Sequence, residues 1–150
     1  MTQVIRNRTA VILENEMNQV LMVPHYKERE LTFWYLPGGG VNFLETIEAA
    51  AIREFCEETG LIIELVDELG YVQYRDQDNP WHSITFCFSG KCVSDTIRPE
   101  NSNFGNKMPR WFHIDQLPEN TVPYLREVIQ SRGQNLTNKC SGPANAGSLI

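Results

Sequence analysis

The sequence predicts a sandwich of the α/β or α+β class. Three observations carry this: short β-prone runs recur along the chain, two helical stretches stand far apart among them, and a glycine-rich turn leads into the first helix. Strands mixed with separated helices argue against a helix bundle and a closed barrel. The length of 150 residues corresponds to about one domain. A chain of that size buries roughly 70% of its unfolded surface, enough for a core without disulfide staples.

Residues 5–13 read as a strand ending in an apolar run, and 14–19 as a polar turn. Val20–Val23 resumes strand character, so 5–23 reads as a hairpin. A charged loop is expected over His25–Glu30 and an aromatic strand over Thr32–Leu36, stopped by Pro37 and three glycines. The spacing then predicts a helix over 45–59, with Thr46 as N-cap and Gly60 just past its end. Its expected core stripe is Ala49, Ile52, Phe55 and Cys56. Ile62–Tyr74 is β-like with a polar interruption at Asp67–Glu68, residues 75–82 read as a loop or a long hairpin connection, and Ser83–Phe88 alternates as a strand. Residues 93–108 are polar and irregular, 109–114 return to strand character, and Pro123 suits the first turn of a helix over about 122–132. Residues 1–132 are expected to form the domain and 133–150 a flexible tail.

Net charge is −6, from 13 Lys and Arg against 19 Asp and Glu, with no basic run. Such a balance argues against long nucleic acid and anionic membranes as partners. No stretch approaches the roughly 20 apolar residues of a membrane span, and the first residues lack a signal-peptide core. Cys56, Cys87, Cys92 and Cys140 form no CxxC pair, which fits reduced thiols in a cytoplasmic protein. The sequons at Asn7 and Asn135 then read as chance matches.

The acids converge on the predicted helix. Glu54, Glu57 and Glu58 span about 100° of its surface at 3.6 residues per turn, with Ala50 and Ala51 one turn back. Three carboxylates this close repel one another, and a hard divalent cation removes the conflict. Acidic runs also occur on ordinary solvated helix faces. The preceding Leu36-Pro37-Gly38-Gly39-Gly40 weighs toward a site, because a glycine turn lets backbone approach a phosphate or metal. It is not a P-loop, since no Gly-Lys-Ser/Thr follows.

Gly39, five residues, Glu45, seven residues, Arg53-Glu54-Phe55, one residue, Glu57-Glu58, one residue, Gly60-Leu61: this spacing resembles the signature of the Nudix hydrolase family at every specified position. Seven fixed residue types in register occur by chance on the order of once in 10⁸ to 10⁹ starts. Asn42 stands where many members carry an acid and Leu44 where many carry a glycine, both outside the strict signature.

The resemblance implies an α/β/α sandwich with a mixed sheet. It also implies a hydrolase, dependent on Mg²⁺ or Mn²⁺, that cleaves the diphosphate of a nucleoside diphosphate linked to another moiety. Glu54, Glu57, Glu58 and the carbonyl of Gly38 match the family's metal ligands, and Arg53 with Glu45 the pair that holds the glutamates. Glu54 and Glu57 are the helix candidates for the base, and Glu100 is the loop candidate. Gly39 and Gly40 are candidates for phosphate contact, and Tyr35 and Trp81 for stacking on a base, with Trp34 the alternative to its neighbour. His82 and His113 lack ligand spacing. The family also admits homodimers, and a regulator that binds nucleotide without hydrolysis is the alternative reading.

Overall fold

The computed structural model describes residues 3–93, 108–133 and 139–141. Strand β1 (Arg6–Leu13) is followed by β2 (Gln19–Lys27), β3 (Glu30–Tyr35), helix α1 (Ile47–Thr59), β4 (Ile63–Asp76) and β5 (Trp81–Cys92). After these come β6 (Arg110–His113), a 3₁₀ turn (Ile114–Gln116), α2 (Pro123–Ser131) and β7 (Lys139–Ser141). One sheet has the order β1-β5-β4-β7 and the other β3-β2-β6. The first is mixed: β1 and β7 run parallel to their neighbours, while β4 and β5 are antiparallel.

Both faces of β1 and β2 are covered, which is why Ala10–Leu13 and Val20–Val23 are apolar without alternation. Ala10, Ile12, Val20 and Met22 enter a core closed by Leu125, Val128 and Ile129 of α2. Val11, Leu13 and Leu21 enter a second core closed by Ala51 and Phe55 of α1. The helices therefore lie on opposite faces of the strands, and the α/β/α sandwich is the observed architecture.

The expected hairpin over 5–23 is corrected. Asn15 closes a tight turn, accepting from the backbone N–H groups of Met17 and Gln19, and a bridge joins Glu14 to Val20. Beyond that bridge the strands part into different sheets, because each is needed beside other partners in its own core. The loop expected at His25–Glu30 is instead a β-hairpin, with β2 and β3 joined at Glu28-Arg29. Both residues have positive φ (52° and 76°), as a type I′ turn requires. The usual Asn-Gly signal is absent there, so the turn was not legible. Of the two readings of 75–82 the structure has the hairpin connection, shortened to 77–80 between the antiparallel β4 and β5. The polar interruption at Asp67–Glu68 coincides with register shifts at Leu65/Asp67 and Glu68/Gly70, where bulges let polar residues enter a long strand.

Helix α1 is capped and ends as its sequence predicts, and starts two residues later than expected, at Ile47. Thr46 accepts from the N–H of Ala49, and Gly60 adopts φ 80° while donating to the carbonyl of Cys56. Its inner face is rotated from the expected stripe. Ala50, Ala51, Phe55, Glu58 and Thr59 are buried, whereas Ala49 is exposed and Cys56 half-buried. The glycine turn packs beside the helix and draws Glu58 inward, which turns Ala50 and Ala51 into core residues.

Candidate active site

The glycine turn is positioned by backbone pairing. Residues 37–41 lie along the edge of β1 left open by β5: Val11 N–H donates to Pro37, Thr9 N–H to Gly39, and Val41 N–H to Asn7. Two of the three glycines are required by space. A Cβ on Gly38 would stand 1.9 Å from the Thr9 carbonyl oxygen, and one on Gly39 would stand 2.4 Å from a carboxylate oxygen of Glu54. Gly40 has open space around it and contributes its carbonyl, which accepts from Arg53 Nη2 at 3.0 Å.

Arg53 is the hub of the acidic face. Its Nε and Nη2 donate to the two oxygens of Glu45 at 2.7 and 2.9 Å, a bidentate pair. Its Nη1 donates to Glu54 at 3.0 Å and to Glu57 at 3.2 Å. The Arg53 hydrogen bonds, aided by the N–H of Asn42, hold the Glu45 carboxyl down at about 2. Arg53 in turn is held well above its usual value, first by Glu45. Glu54 is different: its burial raises its pKa against the pull of Arg53.

The three helix glutamates do not share one direction. Glu57 is exposed, Glu54 is half-buried against Gly39, and Glu58 is only 6% exposed. Glu58 accepts from Gly38 N–H at 2.7 Å and from Tyr35 Oη at 2.9 Å, so it ties the glycine turn and β3 to the helix. Among the described residues, no three Asp, Glu, His or Cys side chains are gathered around a single ion position. Cys56 and Cys87 are free thiols, and no described helix is long and apolar enough to cross a membrane.

Beside this acidic face opens a cleft of about 620 Å³ between the two sheets. Tyr35 and Gly38 line it, and so does Trp81, whose ring is capped by the Arg6 guanidinium at 4.4 Å. Trp34, next to Tyr35, points the other way and packs edge-on against Phe112 in the core. Sequence reasoning missed the stacked pair His25–Phe33, with ring centroids 4.4 Å apart, and the Tyr74–Tyr124 pair at 6.0 Å. Phe33 and Tyr35 share a face of β3 by period two, the signal that could have found that wall. His113 caps the 3₁₀ turn, accepting from Asp115 N–H. Glu100 lies outside the described residues.

The profile of the NUDIX domain matches residues 4–131. A Bacillus subtilis protein named "Putative 8-oxo-dGTP diphosphatase" is 43% identical, over 93% of this chain and 91% of that one. An RNA pyrophosphohydrolase of Roseobacter denitrificans is 30% identical, over 79% of this chain and 82% of its own. Among solved structures, the MutT NUDIX hydrolase of Burkholderia pseudomallei superposes with a TM-score of 0.75 at 25% identity, covering 85% of this chain and 98% of that one.

Proposed function

The chain belongs to the NUDIX domain family, and from that premise we propose a metal-dependent pyrophosphohydrolase that cleaves the diphosphate of a nucleoside diphosphate joined to another moiety. Its bond class is the phosphoanhydride, in keeping with the hydrolase relatives. The observation that carries the reading is the Arg53 hub that ties Glu45, Glu54 and Glu57 of the signature together, beside an aromatic cleft large enough for a nucleotide.

The donor set suits a hard divalent ion, Mg²⁺ or Mn²⁺. It is all oxygen: the carboxylates of Glu54, Glu57 and Glu58 and the carbonyl of Gly38. When bound, such an ion withdraws charge from pyrophosphate oxygens and acidifies water. The chain's own residues do the rest. Glu45 locks Arg53, and Arg53 sets the positions of Glu54 and Glu57. Glu54 is one helix candidate to accept the proton of the attacking water. Glu57 is the second helix candidate for that step, and Glu100 the loop candidate. Attack runs in line on one phosphorus, and the P–O bond to the leaving phosphoryl group breaks. Gly39 and Gly40 offer backbone beside the phosphates, while Tyr35 and Trp81 offer rings to the base. The free thiols suit the reducing cytoplasm.

The test is a panel of nucleoside triphosphates (8-oxo-dGTP included), nucleotide sugars, ADP-ribose, dinucleoside polyphosphates and 5′-triphosphorylated RNA, with Mg²⁺ or Mn²⁺. Phosphate-containing products should appear with at least one compound and vanish in Glu57→Gln. Tight nucleotide binding with no turnover on any compound would favour a regulator instead.

A further inference from the structure

Alternation along β1 sends Ala10 and Ile12 into the core closed by α2, and Arg8 one step further out on the same face. That step brings Arg8 to the wall of the 620 Å³ cleft, half-buried. Its guanidinium makes no hydrogen bond or ion pair with any described side chain or carbonyl. Arg53 differs, having donors committed to Glu45, Glu54, Glu57 and Gly40. Arg6 differs too, lying over Trp81.

The cleft wall is unusual for so acidic a chain. Among the described residues no Asp or Glu lines the cleft, and Arg8 is the one Lys or Arg that does. Arg8 also stands between two different surroundings, close enough for its charge to act on Glu54 of the acidic face and on Tyr124 of the aromatic wall. A half-buried guanidinium that no described carboxylate or carbonyl binds is set up to receive an anion.

We propose that Arg8 is the specificity-determining contact for the phosphoryl group nearest the nucleoside, gripping its non-bridging oxygens between the aromatic walls and the signature helix. The assignment rests on the hydrolase reading above and deepens it: the preferred ligand is a nucleoside bearing a 5′-phosphate, and the discrimination against an unphosphorylated nucleoside resides in one residue. Two charge-assisted hydrogen bonds from a planar guanidinium supply the geometry.

The test needs no turnover. Binding of GMP against guanosine, and of AMP against adenosine, is measured by calorimetry on the metal-free protein. Native protein should bind at least one monophosphate about 10- to 100-fold more tightly than its nucleoside. Arg8→Ala should abolish that ratio while leaving the nucleoside affinity unchanged, and Arg8→Lys should restore part of it. No preference for the monophosphate in the native protein, or a preference that survives Arg8→Ala, would overturn the assignment. Equal loss for nucleoside and nucleotide in Arg8→Ala would also overturn it, showing a packing role. If the panel fails while the Arg8-dependent ratio holds, the hydrolase reading falls and this assignment stands.

Discussion

Glu45 and Arg53, eight residues apart, are joined by two hydrogen bonds in a fork-to-fork pair, Nε to Oε2 at 2.7 Å and Nη2 to Oε1 at 2.9 Å. Arg53 uses its remaining nitrogen on Glu54 and Glu57, so Glu45 acts on the acidic face only through Arg53. Glu45→Gln should lower hydrolysis by about 10- to 100-fold. The same variant has a pH signature. Glu45 keeps its charge in the folded chain down to about 2, against an ordinary value of 4.5. Its contribution to stability is therefore whole above 4.5 and is lost as pH falls toward 2. Stability of Glu45→Gln, followed by thermal melts across that window, should fall less steeply with acid than that of the native chain.

The three glycines should separate under substitution by alanine. Gly38→Ala pushes a Cβ into the Thr9 backbone and should destabilise by about 1–3 kcal/mol or more. Gly39→Ala meets the movable end of Glu54, so activity should fall further than stability. Gly40→Ala meets nothing and should resemble the native chain in both. Melting temperatures and initial rates of the three variants check the order.

Tyr35→Phe removes the Oη hydrogen bond to buried Glu58. A bond to a charged group is worth about 1.5–3 kcal/mol. The melting temperature should drop by about 3–12 °C in a chain of this size. The ring stays in the cleft wall, so nucleotide affinity should change little.

Leu44 holds φ 69° and is 89% exposed, a left-handed residue with no packing in return. Leu44→Gly should therefore leave the fold unchanged and raise stability by up to about 1 kcal/mol, the relief of strain exceeding the added freedom of the unfolded chain. Chemical denaturation of the two chains compares them directly.

Several of these features were legible beforehand and others were not, for physical reasons. Thr46 and Gly60 announce α1 through local hydrogen bonding, which needs no tertiary context. The signature spacing likewise brought Glu45, Arg53, Glu54, Glu57 and Glu58 to one region, because an α-helix fixes their relative angles. Their separate orientations were not legible. Glu58 turns inward because Gly38 and Tyr35 bind it, and both come from outside the helix. The pairing of β1 with β5, some 77 residues away in register, is a long-range choice that periodicity does not encode. Arg8 was missed for the same reason: its place in the cleft depends on which strands flank β1.

Hydrolysis in ¹⁸O-labelled water, with Mg²⁺ and the best compound of the panel, tests the central claim most directly. The account predicts cleavage at one phosphoanhydride bond, the label in a single phosphoryl product, and a rate lower by about 10²- to 10⁴-fold in Glu54→Gln. Absence of label from every phosphoryl product, or an unchanged rate in Glu54→Gln together with Glu57→Gln, would contradict it.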